Sequence, residues 1–263
     1  MPRKDLKNKP LVEAILEVRW RLPGQPAGQP APGVEGDPHY RFLLGRFSER
    51  VQKKYPFHEP LPTASIPDVM VPYMPQHRFR VKDTGWPLLQ MGPGIMTVND
   101  TEGYTWTDFN DRCQDAVSSL LDVHPSPSEF KVQNVTLRYI DAVSFDYGAN
   151  DVFQFLKDKM KITLGFPESL FEGTHVAPNP TRFSWQTSFA NKEPDGTVTI
   201  TFGTGLKGGS PVMMWETIIQ SEGQELSDLR AGFSKWLSLA HDITDDWFFK
   251  LIDGELERRF SSE

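Results

Sequence analysis

Cysteine is almost absent: Cys113 is the single one among 263 residues. One thiol cannot close a disulfide within the chain, and the paired spacings of zinc sites have no material here. A reducing cytoplasm fits that usage. Basic residues are also in deficit, with 28 Lys and Arg against 35 Asp and Glu, a formal net charge of −7. A protein that tracks a phosphate backbone needs a positive field, and no basic run supplies one locally. The balance therefore argues against nucleic acid as a ligand. Nowhere do eighteen apolar residues follow one another, which excludes a membrane-spanning helix. The first ten residues are charged and lack the apolar segment of a signal peptide.

Signature motifs of catalysis are missing too. No Gly-x-Ser-x-Gly elbow is present, and no Lys-Ser or Lys-Thr pair follows a glycine-rich turn. No nucleophile–base pair, metal set or cofactor motif emerges, so the sequence names no catalytic residue, no metal ligands and no cofactor. What it does hold is core material: 38% hydrophobic residues, with eighteen Phe and seven Trp. That much aromatic surface demands burial rather than disorder.

The segment "LVEAILEVRW" at 11–20 alternates cleanly. Val12, Ala14, Leu16, Val18 and Trp20 form one face; Leu11, Glu13, Ile15, Glu17 and Arg19 form the other. The spacing predicts a half-buried strand. A Pro/Gly tract at 23–36 predicts a mobile loop. Asp37-Pro38 then reads as a helix cap, with Tyr40, Leu43, Leu44, Phe47, Val51 and Tyr55 at helical spacing. Six prolines between Pro56 and Gln76 predict an extended crossing. Strands are expected at Arg78–Lys82 and Leu88–Asn99. A helix from about Thr107 would bury Phe109, Cys113, Ala116, Val117 and Leu120, ending before Pro125.

The order then recurs. Val132–Phe145 reads as a long strand, and Asp151 opens a helix carrying Val152, Phe153, Leu156 and Met160. Strands follow at Thr181–Asn191, Thr197–Phe202 and Val212–Gln220, with Asp195-Gly196 as the hairpin signal between the first two. A long helix from about Glu225 keeps Leu226, Leu229, Phe233, Trp236, Leu237, Ala240, Trp247, Phe248 and Leu251 on one stripe to a break at Asp253-Gly254. The fold class is α+β: two similar β-α-β-β-(β)-α halves, 1–126 and 127–263, forming one compact unit. A mainly antiparallel sheet would carry helices on one face, with the long last helix covering it.

The segments "PLVEAILEVRW", "LQMGPGIMTVND" with "YTWTDF", "LRYID" and "AHDITDDWF" together resemble a sporadically distributed family of uncharacterised bacterial proteins of about this length. The resemblance runs from end to end. It implies a bacterial single-gene product in a mobile or defence-associated setting, and it brings no reaction, cofactor or substrate with it.

Five features compete as sites. Gly92-Pro93-Gly94 lacks the free N–H groups and the following helix of a phosphate loop, so it reads as a bend in the sheet. The loop at 203–210 joins strand to strand and reads first as a hairpin loop; its exposed glycine N–H groups make it, through Gly205, Lys207, Gly208 and Gly209, the better of the two loops for an anion. His241 and Asp245 lie four apart on the last helix and could supply two metal ligands, or only a solvated pair. Trp86, Trp106, Trp185, Trp215 and Trp236 could form an aromatic cage, with core packing the default. The fifth feature is a polar constellation. Glu13, Glu17 and Arg19 project from the first strand, Thr136 and Arg138 from one side of the strand at 132–145, with Tyr139 and Asp141 on its other side. Pairing of the two strands would let Arg138 meet Glu13 or Glu17, either as an ion-pair ladder or as the floor of a ligand site.

Two functional expectations follow. The first is a non-enzymatic binding or interaction protein in a defence or toxin–antitoxin-like locus, with another protein as partner and a homodimer as a further assembly. The second is an enzyme or small-ligand sensor with a polar site between the halves, built from Glu13, Glu17, Arg19, Arg138 and Asp141.

Overall fold

The computed structural model describes residues 6–23, 36–101, 103–223, 226 and 228–262. Nearly all of the Pro/Gly tract and the expected start of the last helix at Glu225 lie outside the described residues.

Alternation decides the centre of the molecule. In β1 (Leu11–Trp20), Ala14, Leu16, Val18 and Trp20 are buried while Glu13, Ile15, Glu17 and Arg19 are half-exposed. β1 is flanked on one side by β5 (Ile95–Asp100) and on the other by β6 (Val132–Ser144), antiparallel to both. From β1 the chain runs through α1 (Tyr40–Val51), β2 (Phe57–Pro60), β3 (His77–Arg80), β4 (Leu88–Gly92) and β5 into α2 (Trp106–Val123). From β6 it runs through α3 (Val152–Met160), β7 (Ser184–Lys192), β8 (Asp195–Lys207) and β9 (Ser210–Glu222) into α4 (Leu229–Ile252) and a short α5 (Glu255–Ser261).

The nine strands form one antiparallel sheet in the order β2-β3-β4-β5-β1-β6-β9-β8-β7. The two first strands, β1 and β6, meet at its centre, and each half grows outward from there by antiparallel pairing of successive strands. The helices repeat that symmetry: α1 packs on α2, α2 on α4 and α4 on α3. The fold is thus α+β and pseudo-duplicated in topology, as the periodicity implies. No described helix is long and apolar enough to cross a membrane.

Helix boundaries follow their caps. Thr105 accepts a hydrogen bond from the Asp108 N–H at the start of α2, Asp151 from Gln154 in α3, and Asp228 from Ala231 in α4. Each satisfies a donor that the first turn leaves unpaired. The break at Asp253-Gly254 is real, and Gly254 takes φ 108° between α4 and α5. All five residues expected on the α2 stripe are buried. The main core joins both halves beneath α1, α2 and α4; a second cluster lies under α3, α5 and the end of α4.

Three local expectations change. Asp37 does not cap α1, whose first flanking residue is His39. Its carboxylate accepts instead from the buried Trp20 indole N–H at 3.0 Å and from the His39 backbone N–H at 2.9 Å. Tertiary burial of an indole donor outweighs local capping. The proline-rich crossing contains β2, paired with β3 at the sheet edge.

The bend of the sheet at Gly92-Pro93-Gly94 takes the form of a tight hairpin turn between β4 and β5, with Gly92 paired to Ile95 and Gly94 at φ 75°. Proline before a positive-φ glycine is the type II arrangement. The β7–β8 turn is Glu193-Pro194, not Asp195-Gly196, because Lys192 pairs with Asp195. Gly196 is needed for another reason. A Cβ there would meet the Gln220 carbonyl oxygen at 2.1 Å.

Candidate functional site

The sheet has a helix-covered face and an open face, and the polar residues named above divide between them. On the open face Glu17, Arg19 and Arg138 line a depression of about 290 Å³ together with Gln90, Thr97 and Thr136. The segment carrying Tyr73 and Pro75 folds over its edge. Arg138 lies directly across from Ile15, with Glu13 and Glu17 diagonal to it. The expected cross-strand ladder does not form. Glu17 pairs with Arg19 along its own strand at 2.7 Å. Glu13 accepts from the Asn99 amide at 3.0 Å and from the Trp86 indole at 3.3 Å. Arg19 also lies 5.5 Å from the centre of the Tyr73 ring, a further hold on that side chain.

Asp141 stands on the opposite face, three residues beyond Arg138 on a strand whose side chains alternate. The five candidate residues therefore do not form one site. The proposed anion loop is an exposed hairpin tip: Gly208 and Gly209 have φ 58° and 84°, Lys207 pairs with Ser210, and Gly205 lies inside the β8–β9 ladder. Of the five Trp residues, Trp215 and Trp236 are core; Trp106 is half-buried and stacks on His241 with ring centres 3.6 Å apart.

Asp141 opens into a second cavity, about 320 Å³, between the sheet and α4. The floor is Tyr139 and Asp141 of β6 with Thr217 of β9; the roof is His241, Thr244, Asp245, Phe248 and Phe249 of α4. Tyr104, Thr105 and Trp106 at the start of α2 close one end, and the segment from Leu6 to Leu11 closes another. That segment is tied down. The Asn8 N–H donates to the Phe260 carbonyl at 2.9 Å, the Ala142 N–H to the Pro10 carbonyl at 3.0 Å, and the Lys9 ammonium to the Tyr104 carbonyl at 3.0 Å. A register shift between Leu11 and Glu13 lies directly opposite Asp141. Bulges of this kind interrupt a ladder and re-aim neighbouring side chains.

No family model matches the chain, and no curated protein is significantly similar to it in sequence. Among solved structures, Methanococcus jannaschii TBP aligns over 88% of this chain and 97% of its own, at 13% identity and a TM-score of 0.23. A superposition that loose carries no argument. The chemistry has to be read from the cavity.

Its electrostatics are unusual at one position. Asp141 is 4% exposed, and its carboxyl makes no hydrogen bond or ion pair among the described residues. Burial pushes its pKa up to about 8, with Lys207 opposing the shift. A carboxyl in apolar surroundings keeps its proton because ionisation would leave an unsolvated charge. At neutral pH it is mainly a neutral acid.

Beside it runs a hydrogen-bonded chain, Tyr104 hydroxyl to Tyr139 hydroxyl at 2.9 Å and Tyr139 hydroxyl to His241 Nδ1 at 3.0 Å. Burial raises both phenol pKa values, so neither is a base near neutrality. The chain fixes the imidazole against Trp106. Cys113, in the same core, is fully buried and its thiol pKa is pushed well above the usual range. It is no nucleophile.

His241 and Asp245, weighed as two metal ligands or as a solvated pair, both line the cavity; His241 is buried rather than solvated, and no set of three or more ligating side chains exists among the described residues. Thr217 and Phe249 carried no signal beyond ordinary polarity or apolarity, and Tyr104 stood in the "YTWTDF" segment without being marked as a site residue. The start of α2 and the middle of β9 meet only through the fold.

Proposed function

We propose that this chain is a non-enzymatic binding protein whose ligand is a small, largely apolar molecule held between the sheet and α4. One observation carries the reading: a cavity of about 320 Å³ with mainly apolar walls contains a buried carboxyl with no partner among the described residues. Ligand sites commonly combine an apolar lining with a few converging polar groups, one of them perturbed in pKa. Contributions from both halves support the sensor form of the idea, a site at their junction, though Asp141 alone represents the five residues first considered. The single buried thiol supports a reducing, cytoplasmic compartment.

A thermal-shift screen of small apolar compounds tests it. Binding at a hundredfold excess over Kd adds about 2.7 kcal/mol, or roughly 5–10 °C in Tm for a chain of this size. Thr217→Phe would fill the cavity and should abolish the shift while far-UV circular dichroism stays native. If no compound stabilises the wild type, the reading fails.

A second reading, a protein partner, is favoured by β7. This nine-residue edge strand is mostly exposed, and its outer backbone groups have no neighbouring strand in the sheet. Such an edge is a template for an added strand. The family resemblance supports a bacterial, defence-associated setting for that partner. Copurification from the host tests it, and a clean monomer with nothing bound would count against it.

A further inference from the structure

We infer that the cavity's ligand carries an amine, and that the ammonium docks on Asp141 while the apolar body lies against Tyr139, Trp106 and Phe248. This rests on the binding reading above and specifies its ligand class. Three observations carry it. Asp141 is buried, faces the cavity and has no counterion in contact among the described residues. A second carboxylate, Asp245, lines the same cavity, and no arginine does among the described residues. Lys9, the lining ammonium, is already held by the Tyr104 carbonyl at the rim. An incoming cation therefore meets the Asp141 carboxyl and several aromatic faces, which attract cations further. An incoming carboxylate or phosphate would meet like charge.

The alternative neutral ligand, a carbonyl accepting a hydrogen bond from protonated Asp141, would leave the cation-attracting aromatic faces unused. Docking of an ammonium obliges Asp141 to give its proton to solvent, forming a carboxylate–ammonium pair with the N–H groups donating. The groups facing Asp141 across its neighbouring elements are Lys207 of β8, Lys9 of the N-terminal segment, Tyr104, and His241 and Asp245 of α4.

Since the free carboxyl titrates near 8, amine affinity should rise about tenfold per pH unit from 6 to 8 and level off above.

Calorimetric titration of the whole chain with primary amines from butylamine to octylamine and 2-phenylethylamine, each beside its isosteric alcohol, tests the inference. Expected at pH 8 is an amine at least tenfold tighter than its alcohol, with proton release visible between buffers of different ionisation enthalpy. Asp141→Asn should bind amine and alcohol alike and lose the pH slope. The proton release is read on the wild type, so it stands even if that variant folds poorly. Alcohols binding as tightly as amines, without proton release, would overturn the amine while leaving the cavity reading intact. If neither class binds, both readings fall together.

Discussion

Leu16 of β1 and Leu137 of β6 face each other across the central strand pair, and neither has any solvent exposure. They lie where the two halves join, so the core on either side depends on them. Leu137→Ala should cost about 2–5 kcal/mol, the range for deleting a buried leucine side chain. Urea unfolding followed by Trp fluorescence should shift to lower midpoint as one transition. Two separated transitions would mean that 1–126 and 127–263 fold independently, against the continuous sheet.

Two glycines should respond in opposite directions to alanine. At Gly92 a Cβ would lie 1.9 Å from the Met74 carbonyl oxygen, a backbone atom that cannot swing away. Gly92→Ala should destabilise by roughly 1–3 kcal/mol, as overpacking does. Gly45 sits inside α1 with open space around the added carbon. Gly45→Ala should stabilise by about 0.5–1 kcal/mol through the lower entropy of the unfolded chain. Thermal denaturation of the two variants in parallel gives the comparison.

Asp141 makes stability depend on pH. Its native pKa of about 8 stands above the value of about 3.9 of an unfolded aspartate. Between those values the native state holds a proton that the unfolded state has lost. Its stabilising effect is therefore full in acid and is lost as pH rises towards 8, by up to about 1.4 kcal/mol per unit. Asp141→Asn removes the titrating proton. Relative to wild type, the variant should gain stability steadily from pH 5 to pH 8 in denaturant titrations. Parallel pH profiles for the two proteins would sink the assignment of a buried neutral acid.

Cys113 should be silent in the native state. It is fully buried on the α2 stripe with a raised thiol pKa, so both access and thiolate are lacking. Iodoacetamide should label it at a rate set by global opening, and labelling should become rapid only in denaturant. Fast native labelling would show that α2 opens locally.

Legibility tracked the range of the interaction. The faces of β1, the stripes of α2 and α4 and the cap at Asp151 are local patterns, and they could be read residue by residue. Asp37 could not, because its partner Trp20 is seventeen residues away and a local cap competes as an explanation. The Glu193-Pro194 turn was missed because Asp-Gly next to it imitates a hairpin, while Gly196 answers to the Gln220 carbonyl on a different strand.

By itself, the periodicity of apolar residues determined the elements, their repetition in two halves and the split of Arg138 and Asp141 to opposite sides of one strand. Those depend only on each residue's position relative to its neighbours in the chain. Strand order, the closing of α4 and the N-terminal segment over Asp141, and the resulting cavity were decided in three dimensions. Burial strips water from a carboxyl only when distant elements pack around it.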